Sequence, residues 1–208
     1  MSSADHPRVV GVAGKCCAGK DLVTRWLLEH DWREINVDAL GHRALEEKCN
    51  TILDTFGDSI RANNGGVDRK QLGQIVFADN DALRQLEAIV HPWMREQVQI
   101  AAEWWRNTAD GDDVPEGRGL VVNAALLFHM QLDPLCDAVI YVRSAVWQRL
   151  RRARRRDGLP LKRILQRLWS QRHLDAQAHQ SPADIITVEN NRTPEALYAR
   201  LAEIPQLR

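Results

Sequence analysis

Cysteine is scarce in this chain, and the four present make no pattern. Cys16, Cys17, Cys49 and Cys136 form no CxxC pair and no metal-ligand spacing. That excludes a disulfide framework or a structural zinc site and suits reduced thiols in a cytoplasmic setting. No apolar run approaches the roughly 18 residues that a membrane-spanning helix requires. The opening MSSADHPRVV is polar and leads straight into a strand-like segment, so no signal peptide is expected. Internal repeats and low-complexity tracts are missing as well. Phenylalanine and tyrosine are few, three and two, so the seven tryptophans supply most of the aromatic bulk. Trp26, Trp93 and Trp104 fall on predicted apolar helix faces and are expected as core or interface residues. What remains, 44% hydrophobic and 27% charged over 208 residues, describes a globular chain with a real core. It fits one large domain, or a core with a small inserted subdomain.

Net charge is also absent, with 28 basic residues against 28 acidic ones. The zero conceals an imbalance. From Arg143 to Arg172 eleven Lys or Arg residues face a single acid, Asp157. A block this basic calls for an anionic partner: a nucleic acid, a membrane surface or a phosphorylated small molecule.

Arg8 to Val12 is a short β-branched run, and Leu22, Val23, Trp26 and Leu27 recur at helical spacing as far as Glu29. A second strand is predicted over Glu34 to Val37, ending at Asp38. Helical patterns occupy Ala39 to Lys48, Asn50 to Phe56, Arg69 to Phe77 and Asp81 to Val90, and Pro92 is placed as the first residue of a long helix to about Arg106. Thr108 to Gly119 reads as an acidic exposed loop. Leu120 to Asn123, Ala138 to Val142 and Ile185 to Val188 are further buried-strand candidates. Short apolar strands alternating with helices predict a parallel sheet covered on both faces, with the helical stretch from Ala39 to Arg106 as an insertion capping it.

Between the first strand and the first helix stands Gly14-Lys15-Cys16-Cys17-Ala18-Gly19-Lys20. Its GxxxxGK spacing, in that strand-to-helix context, is the signature of a phosphate-binding loop. Glycines let successive backbone N–H groups turn around phosphate oxygens, the helix start adds its positive end, and Lys20 brings a point charge to the β- and γ-phosphates. The next position, normally Ser or Thr for Mg²⁺, is Asp21, followed by Leu22. Asp21 has two readings: an oxygen ligand for the metal, or an acidic first-turn residue favoured by the helix dipole. Cys16 and Cys17 read as small hydrophobes facing away. Asn123, at a strand end where such enzymes often carry a metal-linked Asp, is neutral, so the carboxylate would have moved from the strand to the loop at Asp21.

Several segments, taken in order, resemble the dephospho-CoA kinase family, P-loop kinases of the nucleoside-monophosphate-kinase type. Asn36-Val37-Asp38-Ala39-Leu40-Gly41-His42-Arg43 is similar to the family's DAD-x-x-A-R stretch, with Asn36 in place of its first aspartate. Phe56-Gly57, Asp68-Arg69-Lys70-Gln71-Leu72, Val76-Phe77, Leu86 and His91-Pro92 follow its substrate-side pattern. Ala125-Leu126-Leu127-Phe128-His129 resembles PLLFE with the Pro and Glu changed, Arg152, Arg156-Asp157, Arg167 and Gln171 its R-x3-R-D and R-x3-Q, and Val188-Glu189-Asn190 a last weak match. The likeness spans about Val9 to Asn190. It implies an α/β three-layer P-loop kinase: a nucleotide core over 1–38, 118–143 and 180–208, a helical substrate-binding insertion over 39–107, and a basic helical lid over 144–179. It also implies ATP with Mg²⁺, and transfer of phosphate to the ribose 3'-hydroxyl of dephospho-CoA.

Under that resemblance Asp38 is the base that deprotonates the hydroxyl, or else the N-cap of the helix starting at Ala39. Lys20, Arg152 and Arg156 join it in the chemistry. Gly14 to Leu22 and Asn190 hold the nucleotide, Asp21 the metal. Asp38, Arg69, His91, Arg95 and Leu126 border the acceptor, although a lone histidine such as His91 is also common as a capping or packing residue. The arginine block reads as a lid closing on phosphate, a nucleic-acid surface, or a solvated helix face. Arg152 and Arg156, four apart on one face, are assigned to the lid, and Arg151 and Arg154 to the solvated face. The rivals are a kinase of another small hydroxyl or nucleotide substrate, which the DRKQL…HP stretch disfavours, and a non-catalytic nucleotide- or nucleic-acid-binding protein. The preferred reading expects no membrane, no nucleic-acid partner, and a monomer or weak oligomer.

Overall fold

The computed structural model describes residues 9–108, 117–157 and 174–207. The acidic loop expected after Thr108, the Arg167 and Gln171 positions and the side chain of Arg156 lie outside what is described. Five strands form one sheet: β1 (Val9–Gly14), β2 (Trp32–Asn36), β3 (Gly119–Asn123), β4 (Ala138–Arg143) and β5 (Asp184–Glu189), in the order β2-β3-β1-β4-β5. β1 runs parallel to both neighbours, with Val10 between Val121 and Ala138, and β4 runs parallel to β5. All six residues of β1 are buried, as is most of β3 and β4, whereas the edge strands β2 and β5 mix buried and exposed positions. Near-continuous Val and Ile suit a strand covered on both faces, and mixed sequence suits an edge.

Helices α1 (Lys20–Glu29) and α8 (Pro194–Ala202) contribute to one core cluster, in which Val23, Leu27, Leu197 and Leu201 meet Val10, Val12, Ile140 and Val142 of the sheet. Burial of such side chains stabilises by about 1.5–3 kcal/mol each before chain entropy is charged against it. Gly11 is a tight spot on β1: a Cβ there would lie 2.8 Å from Leu127 and 3.0 Å from the Cys136 sulfur. No disulfide joins the cysteines. Burial first, then the neighbouring Asp137 and Asp133, pushes the Cys136 thiol up to about 12, so it packs as a small apolar group.

The chain divides into two compact units, one of Met1–Ile35 with Ile100–Arg208, the other of Asn36–Gln99. The second unit holds α2 (Val37–Glu47), α3 (Cys49–Phe56), α4 (Arg69–Ala78) and much of α5 (Asn80–Thr108), with Leu40, Ile52, Ile60, Leu72 and Met94 buried. Asp68 caps α4, accepting from the backbone N–H groups of Lys70 (2.9 Å) and Gln71 (3.1 Å). Those bonds, Gln71 first, hold its carboxyl below the usual range.

Four expectations are corrected. β2 ends at Asn36 and α2 begins at Val37, so Asp38 lies in the first helical turn rather than at the strand end. The cap of that helix is Asn36, whose Oδ1 accepts from the Ala39 N–H at 3.0 Å, not Asp38. Pro92 does not open a helix; it sits inside the 29-residue α5. A proline there removes one backbone bond, yet Val90, Met94, Val98 and Ala102 are buried at four-residue intervals through it, and tertiary burial outweighs the missing bond. Trp104 is not a core residue, being 52% exposed; its neighbour Trp105 takes the buried position instead.

Candidate nucleotide-binding site

Between β1 and α1 the backbone alternates in hand. Cys17 has φ 59° and Gly19 φ 103°, both left-handed. This alternation makes a concave nest of inward N–H groups. Only glycine suits position 19, because a Cβ would also lie 2.1 Å from the Asn190 amide nitrogen. The Ala18 N–H closes a turn on the Lys15 carbonyl at 3.0 Å, and Lys20 Nζ donates across the loop to the Gly14 carbonyl at 3.2 Å. Gly19 sits at the N-terminus of α1 without any side-chain cap, so its N-terminal amides are left for an anion.

The loop is gripped from outside by residues far along the chain. Asn190, 1% exposed, donates from Nδ2 to the Ala18 carbonyl at 2.8 Å. Arg152, on α6 (Val146–Asp157), donates to the carbonyls of Cys17 (3.4 Å) and Ala18 (3.2 Å), to Ser144 Oγ (3.3 Å), and to the carbonyl and Oδ1 of Asn190 (3.1 and 3.2 Å). The Ala18 carbonyl, held outward by both side chains, leaves the N–H at the other end of that peptide, that of Gly19, facing the opposite way. The structure therefore brings Gly14 to Leu22, Arg152 and Asn190 together. Cys16 and Cys17 are half-buried with their sulfurs 3.7 Å apart. Lys15 extends to Asp175 on α7 (Leu174–Gln180), whose carboxylate also accepts from the Tyr141 hydroxyl at 2.7 Å. Burial pulls the Asp175 carboxyl up, but the bonds from Lys15 and Tyr141 outweigh it and leave it below the usual range. That pairing persists at neutral pH and is lost only as pH falls through the depressed value.

Asp21 is exposed in the first turn of α1. Asn123 pairs in register with Val12, two residues before Gly14, and its Nδ2 donates to Glu34 Oε1 at 2.8 Å. The sheet end at Asn123 is thus not without a carboxylate: β2 supplies Glu34. Sequence reasoning missed Glu34, Asp175 and the grip of Arg152 on the loop, because each depends on which strand or helix lies next in space. The nearest signal was the charge of Glu34 on a strand otherwise apolar at Ile35. A cavity of about 300 Å³ lies between β5 and α8, lined by Asn190, Asn191, Arg192, Thr193, Leu197 and Arg200 among others.

Of the residues assigned to the acceptor, Leu126 is 47% exposed in the turns after β3. The others belong to the second unit. Asp38 is exposed on α2; Arg69 donates to Glu46 at 2.8 Å and contacts His42 Nδ1 at 3.2 Å; His91 and Arg95 are half-buried on α5. No helix among the described residues is long and apolar enough to cross a membrane.

With this geometry in place, the relatives fall into line. The family model described as dephospho-CoA kinase matches residues 8–195. The chain belongs to the dephospho-CoA kinase family. It is 32% identical over 199 residues to the dephospho-CoA kinase of Geobacter sulfurreducens, covering 94% of this chain and 96% of that one. With the dephospho-CoA kinase of Borreliella burgdorferi it shares 33% identity over 140 residues, 67% of this chain and 63% of that relative's length. The solved dephospho-CoA kinase from Campylobacter jejuni has the same fold, with a TM-score of 0.71 at 22% identity, covering 96% of each chain. Within the dephospho-CoA kinase family, the P-loop kinase fold expected from the sequence is the fold observed.

Proposed function

We propose that this chain transfers the γ-phosphate of ATP to the ribose 3'-hydroxyl of dephospho-CoA, giving CoA and ADP. The observation that carries the reading is the braced phosphate loop inside a chain whose family match runs from residue 8 to 195. Such transfer needs positioning and charge neutralisation more than covalent chemistry. The backbone amides of Gly14 to Gly19 hold the β- and γ-phosphates, and Lys20 leaves the Gly14 carbonyl to meet them. Asp38 takes the proton from the acceptor hydroxyl, Arg69, His91, Arg95 and Leu126 border the acceptor, and Arg152 with Arg156 forms the base of a lid over 144–179 that stabilises the transferring charge.

Mg²⁺ fits the donor set, since Asp21 offers an exposed carboxylate on the helix that leaves the loop, and Glu34, which accepts from Asn123, adds one carboxylate at the sheet end. The ion would neutralise phosphate charge; Asp21 would hold it. ADP release measured with dephospho-CoA, adenosine and AMP as acceptors, in Mg²⁺ and in Mn²⁺, tests the proposal. Turnover is expected with dephospho-CoA alone. Equal turnover with adenosine or AMP would assign a different acceptor, and salt-sensitive duplex binding without turnover a nucleic-acid role.

A further inference from the structure

Helix α6 is amphipathic in an unusual way. Its exposed side carries Arg151, Arg154 and Arg155, and its inward side carries Ala153, 2% exposed, and one turn earlier Arg149, 5% exposed. An amphipathic helix normally places an aliphatic residue at such a position. Here the guanidinium is buried, and its Nε and Nη1 have no hydrogen-bond partner among the described residues. A buried cation without a counter-charge destabilises a fold strongly.

Arg149 lines a cavity of about 400 Å³ bounded by the end of β4, Lys15 and Asp175. Its lining carries three cations, Lys15, Arg143 and Arg149, against two carboxylates, Asp175 and Glu189. Both acids already have other partners. Asp175 takes Lys15 and the Tyr141 hydroxyl, and Glu189 accepts from Asn191 Nδ2 at 2.6 Å. The volume lies within the range of small-molecule sites. Arg149 and Lys15 both line the cavity, and a guanidinium and an ammonium are both strong donors to a phosphate oxyanion.

We propose that this cavity is a second anion site, taking a phosphate or diphosphate group on Arg149 and Lys15, separate from the triphosphate loop. Lys15 links the two: its backbone belongs to the loop and its side chain to the cavity, so an anion on Arg149 competes with Asp175 for it. The source is either a free anion or the diphosphate of a nucleotide-like substrate.

The test is calorimetric titration of the full chain with inorganic diphosphate, after the loop has been filled with a non-hydrolysable ATP analogue and Mg²⁺. One diphosphate should still bind, with affinity at least tenfold weaker in Arg149→Met and intermediate in Arg149→Lys, which keeps the charge and loses the fork. Thermal unfolding gives a readout if a variant binds poorly for other reasons. Without anion Arg149→Met should unfold no lower than the native chain, and with the loop filled by the analogue diphosphate should raise the midpoint of the native chain more than that of Arg149→Met. Displacement of bound diphosphate by dephospho-CoA would assign the group to the substrate; its persistence would assign a free anion. The proposal is overturned if diphosphate binding disappears once the analogue is bound. It is equally overturned if Arg149→Met binds diphosphate as well as the native chain does, or unfolds lower than it in anion-free buffer.

Discussion

The phosphate loop and the helical unit of Asn36–Gln99 are built on different plans. Around the loop the carbonyls have defined partners: one arginine makes five hydrogen bonds and one buried asparagine locks a carbonyl. In the helical unit the assigned residues are exposed or half-buried, and Arg69 forms an ion pair with Glu46, with side chains 48% and 71% exposed. The first plan pre-orders a site for a group that is the same in every turnover, a triphosphate. The second, under the proposed function, leaves side chains able to rearrange around a larger acceptor, at the cost of ordering them when it binds.

The largest effect expected on either side comes from the helical unit. Asp38→Asn should lower turnover by about 10²–10⁴ while ATP binding stays near its native value. Near-normal steady-state turnover in the purified, folded variant would remove the base from Asp38 and leave the chemistry wholly with the loop. Next comes Arg152→Ala, which releases the outward-held carbonyls. A small misplacement of the phosphates should then reduce turnover by about 10², more than it weakens substrate binding. A loss seen only in KM would show that the arginine binds and does not position.

Gly19→Ala sharpens the same side, since the added methyl meets Asn190 and demands a left-handed alanine. Denaturant titration should show about 1–3 kcal/mol of destabilisation, and an unchanged midpoint would mean that the loop is softer than its bonds suggest. Asp21→Ala separates metal from scaffold. As a metal ligand it should raise the Mg²⁺ concentration needed for half-maximal turnover with little change in unfolding. As a helix-start residue it would cost only about 0.3–1 kcal/mol of stability, with the Mg²⁺ dependence unmoved. The smallest effect is expected for Arg69→Ala: stability altered by less than about 1 kcal/mol, as for exposed ion pairs, with KM for dephospho-CoA raised and KM for ATP untouched.

The parts of this molecule that rest on local periodicity are legible in the amino-acid sequence alone. The β-branched runs mark the strands of the sheet, the GxxxxGK spacing marks the loop between β1 and α1, and the helical pattern from Arg69 to Phe77 marks α4. Pro92 misleads because a proline's local preference is set against a buried stripe running through it. Asp38 and Asn36 are easily exchanged as cap because both can accept a backbone N–H, and only the path of β2 decides which one does. Glu34 beside Asn123 and Asp175 beside Lys15 lie 89 and 160 residues apart in the chain, so no window along the sequence joins them.

The grip of Asn190 on Ala18 spans 172 residues, and that of Arg152 on the same carbonyl 134. A ribosome adding about 5–20 residues per second therefore releases the loop's own residues first and its clamp some 10–30 s later. Parallel pairing of β1 with β4, and of β4 with β5, adds slow long-range closures to that wait. The nucleotide site is the earliest motif to be synthesised and among the last to be finished. A chain stopped before Asn190 carries every residue of the loop and Arg152, and lacks the Asn190 half of its clamp.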